Sequence, residues 1–342
     1  MLALRLRLGI GLPHSRGLPA AVAAAVAADQ LGYHSVWVPE AYGSDAVTVL
    51  AYLAARTSTI GLASAVLQMP ARTPANTAMT AMTLDELSGG RAILGLGVSG
   101  PRVVEGWHGV PYRKPLAMTR EYVEIVRRAI RRTEPLTFDG DLFRIPADER
   151  SEPLMSAMRP HRPEVPIYLA ANGPRNIGLA AEIADGWLPT LYAPEYDETV
   201  APAVESGLAR RDPARSALMV ACGVPTFIGP DVQRCRDLAR PYLALYIGGM
   251  GSREQNFYKD VVTRYGYGEA AARIQDLYLS GRAVDAAAAV PDDLVDVLAL
   301  VGPAETIRER LAIWDRSRVD VLIIRSVDVR VLETVRELAE QL

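Results

Sequence analysis

Short apolar runs alternate with longer amphipathic stretches along almost the whole chain. Apart from the first, where Arg5 and Arg7 alternate with leucines, the runs contain no regular polar positions, as expected of strands covered on both faces. The pattern predicts strands over Leu4–Leu12, His34–Pro39, Thr59–Leu67, Arg91–Val98, Val165–Ala171, Asp185–Thr190, Leu218–Ile228 and Val319–Arg325. Between them it predicts helices over Gly17–Leu31, Asp45–Arg56, Pro74–Leu87, Met118–Arg132 and Arg175–Ala184, with a last helix over Val331–Leu342. Gly32 and Gly89 follow two of these helices, where a left-handed residue ends the turn. Parallel strands need crossovers, and the helices supply them. Eight such strands close into a (β/α)8 TIM barrel, and the chain reads as one domain over residues 1–342. Two stretches break the alternation. Residues 134–163 hold Thr137-Phe138-Asp139-Gly140-Asp141-Leu142-Phe143, a hairpin with an Asp-Gly turn. Residues 248–290 mix Tyr, Gly and charged positions in no evident order. Insertions of this kind on a barrel build the substrate pocket or a subunit contact.

Two strand exits carry the most information about ligand chemistry. One runs Leu67-Gln68-Met69-Pro70-Ala71-Arg72-Thr73-Pro74, the other Gly97-Val98-Ser99-Gly100-Pro101. Both belong to one βαβ unit, so both turns open on the same sheet edge, the edge that holds ligands in this fold. They offer backbone N–H groups and few bulky side chains, which suits a large, flat, phosphate-bearing cofactor better than a metal or a charged polymer. Gly95-x-Gly97 resembles half of a dinucleotide fingerprint, but the third glycine is missing and both glycines lie inside a strand, where they make room in the barrel. At the fifth exit, Asn172-Gly173-Pro174 leads into a helix whose N-terminus offers unpaired N–H groups. That turn is either a phosphate contact or a capped loop.

The remaining composition narrows the class. The chain has 342 residues, 49% hydrophobic and 23% charged, with a net charge of −3. No basic excess points to nucleic acid or an anionic membrane. Cys222 and Cys235 form no CxxC and build no disulfide framework. The longest apolar run is too short to span a bilayer, and the N-terminal residues read as a strand rather than a leader. These readings place the protein in the cytoplasm. No cluster has metal-ligand spacing and no nucleophile elbow appears. Histidine suits proton transfer near neutral pH. His108, three residues after Glu105 in a polar loop at the ligand edge, and His14, just past the first strand, are the candidates. His34 enters its strand from the opposite end and reads as structural. Arg102, Arg113 and Lys114 give positive charge near the fourth exit, as an anion contact or as a solvated surface.

Taken in order, several blocks resemble the luciferase-like monooxygenase superfamily, in its branch of coenzyme F420 (deazaflavin)-dependent oxidoreductases. They are Leu31-Gly32-Tyr33-His34-Ser35-Val36-Trp37-Val38-Pro39-Glu40, Ala65-Val66-Leu67-Gln68-Met69-Pro70-Ala71-Arg72-Thr73-Pro74, Leu94-Gly95-Leu96-Gly97-Val98-Ser99-Gly100-Pro101, Glu105-Gly106-Trp107-His108-Gly109, Ala170-Ala171-Asn172-Gly173-Pro174, Ala184-Asp185-Gly186-Trp187 and Val301-Gly302-Pro303-Ala304-Glu305. The resemblance implies a hydride-transferring enzyme that binds F420. It implies a non-proline cis peptide at Ala65–Val66, bulging against the cofactor's central ring, where the alternative is a trans strand end. It places Glu40, Ala65, Val66, Gln68, Val98, Ser99, Gly100, Asn172, Gly173 and Pro174 around the cofactor, and Glu40 beside the deazaflavin as a candidate catalytic group. It also implies a homodimer, for which Ala75, Ala78, Met79, Ala81 and Met82 offer a small, flexible apolar helix face. The family's sugar-phosphate dehydrogenases have a histidine where this chain has Ala41, and an acidic residue after the fourth strand where Gly100 or Pro101 stands; sugar-phosphate oxidation is therefore not expected. Two readings stand beside the favoured one. The same fold can serve an FMN-dependent monooxygenase working with a flavin reductase. A non-catalytic cofactor-binding protein is the other, if the 248–290 insertion fills the pocket over the ring.

Overall fold

The computed structural model describes residues 5–13 and 17–342. Eight parallel strands form the barrel: β1 Arg7–Gly11, β2 Ser35–Val38, β3 Gly61–Ser64, β4 Ala92–Gly97, β5 Ile167–Ala170, β6 Gly186–Leu188, β7 Met219–Ile228 and β8 Val321–Arg325. Each pairs with its sequence neighbour, and β8 returns to β1 through Arg7 opposite Val321, which closes the ring. The order matches the expectation strand for strand.

Local chemistry sets the helix ends. Asp45 caps the helix Ala46–Ala54 by accepting the Thr48 N–H at 2.7 Å. Thr73 caps Pro74–Ser88, with proline in the first turn and Gly89 at φ 66° beyond the last. The core has two layers. Helices pack on the outside of the strands around Ile10, Leu50, Leu62 and Val126, all buried. Inside the barrel lie Trp37, Ala63, Tyr168, Leu188, Ala221, Val321 and Ile323, with Trp37 edge-on to Tyr168 at 5.3 Å.

The first insertion forms the expected hairpin, Phe138–Asp139 against Arg144–Ile145. Its turn is held by Glu121, whose carboxylate accepts the N–H groups of Asp141, Leu142 and Phe143 at 3.0 Å each. The second insertion is larger and more regular than its composition suggests. β7 outruns the barrel, and its far half pairs with an added strand, Leu300–Gly302. Between them the chain is helical, in Val232–Ala244, Phe257–Arg264, Gly268–Leu279, Ala283–Ala288 and Asp292–Leu298. These pieces enclose a second apolar core around Leu243, Ile247, Val262, Ile274, Leu294 and Leu298. The insertion thus starts before Gly248 and runs past Val290, because helix Val232–Ala244 and strand Leu300–Gly302 belong to the same small body.

On helix Pro74–Ser88 the apolar residues face the other way from the expectation. Ala78, Ala81 and Met82 are buried within the main core, and Met79 is the exposed one at 57%. Periodicity identifies a face but not the body it packs on. Among the described residues, no helix is long and apolar enough to cross a membrane.

Candidate active site

The site opens at the C-terminal ends of the strands, as the sheet edge requires. A cleft of about 490 Å³ lies there, and four strand exits line it. Val66 comes from the β3 exit, Gly97, Val98 and Ser99 from β4, Ala170 to Asn176 from β5, and Thr190 from β6. Tyr112, Pro115 and Leu116 close one side; Gln255, Phe257, Tyr258, Asp260 and Arg264 of the insertion form another.

The seat at the β3 and β4 exits is built by glycine. A Cβ on Gly95 would lie 1.8 Å from the Ser64 carbonyl oxygen, so no other residue permits this strand spacing. The Ser64 hydroxyl donates to the Gly95 carbonyl at 2.8 Å and accepts the Gly95 N–H at 2.9 Å. That double contact ends β3, and the chain turns at once through Ala65–Val66, whose peptide bond is cis. Val66 then presses into the space left by Gly97, where a Cβ would lie 2.7 Å from Val66 Cγ2. Ser99, at φ 58°, turns the β4 exit back over the cleft.

The β5 exit supplies the polar end. Asn172 Oδ1 accepts the Thr190 N–H at 3.0 Å, tying the β5 and β6 exits together. Arg264 donates to the Asn172 carbonyl at 2.8 Å and so fastens the insertion to the barrel. Its Nε is buried without a partner. Gly173 precedes helix Pro174–Ile183, whose first turn, with Arg175 and Asn176, faces the cleft. Two guanidinium groups and a helix N-terminus at one end, with Asp260 nearby, are groups that can hold an anion there. Two tyrosines, Tyr112 and Tyr258, also line the cleft. Burial raises the Tyr112 phenol and raises Tyr258 further, so both stay neutral donors.

The expected residues divide. Val66, Val98, Ser99, Asn172, Gly173 and Pro174 line the cleft. Ala65 stands next to it in the bulge, and Gly100 abuts the insertion, 3.6 Å from the Met250 carbonyl oxygen by its absent Cβ. Glu40 is held in an ion pair with Arg72 at 2.8 Å, which also meets Asp45 at 2.9 Å. Gln68 is buried and donates to the Ala41 carbonyl. The structure does not bring His108 to the cleft lining. The short helix Pro101–Gly106 carries it round, and its Nε2 is buried without a partner. Glu105 does not pair with it but accepts the Tyr112 N–H at 3.0 Å. His14 lies outside the described residues. His34 sits at the far end of the barrel beside Ser35, as expected. Arg102 donates to the Gly249 carbonyl at 3.0 Å and Lys114 meets Asp141 at 3.8 Å; neither they nor Arg113 line the cleft.

Sequence reasoning expected the 248–290 insertion to build the pocket but named none of its residues, and it missed Tyr112 and Thr190. One signal was present. Asn256 caps helix Phe257–Arg264 by accepting the Tyr258 and Lys259 N–H groups, at 3.0 and 3.1 Å. An Asn before an amphipathic stretch marks a helix start, and that helix brings Phe257, Tyr258, Asp260 and Arg264 to the cleft.

The geometry can be set beside known proteins. Residues 4–320 match the model of the luciferase-like monooxygenase family. A putative coenzyme F420-dependent oxidoreductase of Mycobacterium tuberculosis is 42% identical over 92% of this chain and 91% of its own length. A 5,10-methylenetetrahydromethanopterin reductase of Archaeoglobus fulgidus is 28% identical over 83% of this chain and 82% of its own. Among solved structures, the coenzyme F420-dependent tetrahydromethanopterin reductase of Methanopyrus kandleri superposes with a TM-score of 0.82 at 22% identity, covering 97% of both chains. The barrel, the glycine-built seat and these matches agree: the chain belongs to the luciferase-like monooxygenase family.

Proposed function

We propose that this protein is a coenzyme F420-dependent oxidoreductase acting on a small organic substrate. The observation that carries the reading is the division of one cleft into an apolar seat, Val66 packed into the gap at Gly97, and an anion-binding end at Gly173, Arg175 and Arg264. A deazaflavin has that shape, a flat ring joined to a phosphate-bearing tail. The 42% identical relative named as a putative F420-dependent oxidoreductase supports the same choice. When bound, the deazaflavin supplies a two-electron hydride carrier. The chain's own residues do the rest. Val66 and Gly97 set the height of the ring, and Val98 and Ser99 border it. Gly173, Arg175 and Arg264 hold the tail. Tyr112 and Tyr258 keep the wall dry and uncharged.

The insertion forms a wall of the cleft and leaves about 490 Å³ open beside it. The 42% identical relative named as an oxidoreductase favours an enzyme over a protein that only stores the cofactor. The test is a fluorescence titration of the purified protein with F420 and, separately, with FMN, followed by turnover of reduced F420 with enones, imines, alcohols and quinones. Micromolar or tighter F420 binding with weaker FMN binding is the expected result. Tight FMN binding without F420 binding would replace this reading by the flavin monooxygenase. F420 binding with no turnover of any compound class would leave the storage protein.

A further inference from the structure

Arg325 stands at the mouth of the barrel on the side away from the anion-binding end. It is the last residue of β8, and the two-residue period that sends Val321 and Ile323 into the barrel sends Arg325 inward above them. Both neighbouring strands leave space for it. A Cβ on Gly11 of β1 would lie 3.2 Å from Arg325 Cγ, and one on Gly223 of β7 would lie 3.5 Å from Cδ. The guanidinium lies over the ring of Tyr242, 4.8 Å from its centroid. Tyr242 packs on Tyr246 at 4.7 Å, and Tyr246 meets Tyr258 edge-on at 4.9 Å. Tyr258 is a wall of the cleft. An unbroken aromatic row therefore joins Arg325 to the site.

What Arg325 lacks is a counter-ion. The other part-buried arginines have an acceptor: Arg72 has Glu40, Arg127 Asp185, Arg162 Asp85 and Arg318 Asp197, while Arg91, Arg132, Arg211 and Arg264 donate to backbone carbonyls. Among the described residues no carboxylate and no hydrogen-bond acceptor meets the Arg325 side chain; its neighbours are two glycines, Ile323 and tyrosines. A guanidinium taken partly out of water without an anion is unfavourable, and an anionic ligand would supply what the described residues do not. The cofactor's anionic groups are claimed by Gly173, Arg175 and Arg264, half-way round the barrel at the β5 exit.

We propose that Arg325 binds the carboxylate of the substrate, so that the enzyme acts on organic acids. The inference rests on the oxidoreductase reading above. A planar fork stacked on an aromatic ring matches a planar carboxylate through two parallel hydrogen bonds. One guanidinium among neutral tyrosines suits a single negative charge better than a phosphate dianion. The aromatic row would cover the apolar body of the acid between its carboxylate and the cofactor ring.

Calorimetric titration needs neither turnover nor cofactor. The probes are butyrate and benzoate, their neutral amides butyramide and benzamide, and inorganic phosphate, each against the parent, Arg325→Met and Arg325→Lys. A carboxylate is expected to bind at least about tenfold tighter than its amide, to lose roughly 10- to 100-fold in Arg325→Met and to recover in part in Arg325→Lys. Thermal melts confirm that the variants are folded, and the parent's preference for acid over amide stands even if one is not. Amides binding as well as acids, phosphate binding better than either acid, or no carboxylate binding up to roughly 20 mM would each overturn the assignment. An unchanged carboxylate affinity in a folded Arg325→Met protein would do the same. A failed F420 titration would sink the cofactor reading while leaving this result to stand by itself.

Discussion

Replacing Gly97 with alanine tests the ring seat directly. The new Cβ would lie 2.7 Å from Val66 Cγ2 and 3.5 Å from the Ala170 Cβ. Carbon atoms rest at about 3.5–4.0 Å, so Val66 must retreat by ~1 Å. Ser64 and Gly95 fix the strand ends on either side through their paired hydrogen bonds. The available direction is therefore toward the cleft. Overpacking of this kind costs about 1–3 kcal/mol, which lowers the melting temperature by roughly 2–12 °C at ~2–4 °C per kcal/mol for a large domain. A ring seat displaced by ~1 Å should cost a further 10- to 100-fold in F420 affinity, or about 1.4–2.8 kcal/mol. The assay pairs a thermal melt with a fluorescence titration. Gly106→Ala serves as the control, since nothing lies within 4 Å of a Cβ there. A folded Gly97→Ala protein that binds F420 within about twofold of the parent would refute the placement of the ring on Val66.

Gly173→Val should leave the melting temperature nearly unchanged, because Gly173 has an ordinary extended backbone and nothing lies within 4 Å of its Cβ position; the same variant should bind F420 more weakly by tenfold or more, and unchanged affinity would remove this turn from the site. Burial alone would raise the Asp197 carboxyl, but hydrogen bonds from Arg318 and Tyr192 outweigh it and hold the group below its usual value. The unfolded chain then binds the proton more readily, so this pair's stabilisation is present above about pH 4 and is lost as the pH falls through the folded value. Urea midpoints measured between about pH 3 and 6 should fall less steeply in Asp197→Asn than in the parent; parallel slopes would remove Asp197 from the acid response. Light scattering should give a dimer, with Tyr52, Met79 and Leu87, exposed on helices Ala46–Ala54 and Pro74–Ser88, as the apolar contact. Met79→Glu with Leu87→Glu should then give the monomer mass, and a parent that is already monomeric would end the proposal.

The barrel was legible because all but the first of its strands are continuous apolar runs bounded by glycine, proline or a polar turn. Burial on both faces removes the ambiguity that half-buried strands carry. The exits of β3, β4 and β5 were legible for the same reason, since small residues after an apolar run leave few alternatives. The insertion was not. Its helices are short, laced with Asp and Arg pairs such as Arg236–Asp296 and Arg240–Asp237, and packed on a core of their own. A short amphipathic pattern does not say which body it will cover. His108 failed for a related reason. A polar loop after a strand at the ligand edge points toward the cleft only if nothing turns it, and Pro101–Gly106 adds most of two helical turns first. Arg325 was hidden at the end of the apolar run Val321-Leu322-Ile323-Ile324, where it reads as the boundary of a strand.

The cleft has walls drawn from two hydrophobic cores, tied together by a few hydrogen bonds, among them that from Arg264 to the Asn172 carbonyl. Such a site divides its evolutionary constraints. Substitutions inside the smaller core, at Ile247, Val262 or Ile274, can tilt Phe257 and Tyr258 by fractions of an ångström without disturbing Ser64, Gly95 or Val66. The enzyme can therefore drift toward new substrates through residues that no ligand ever touches, while the half of the cleft that seats the ring remains as it was.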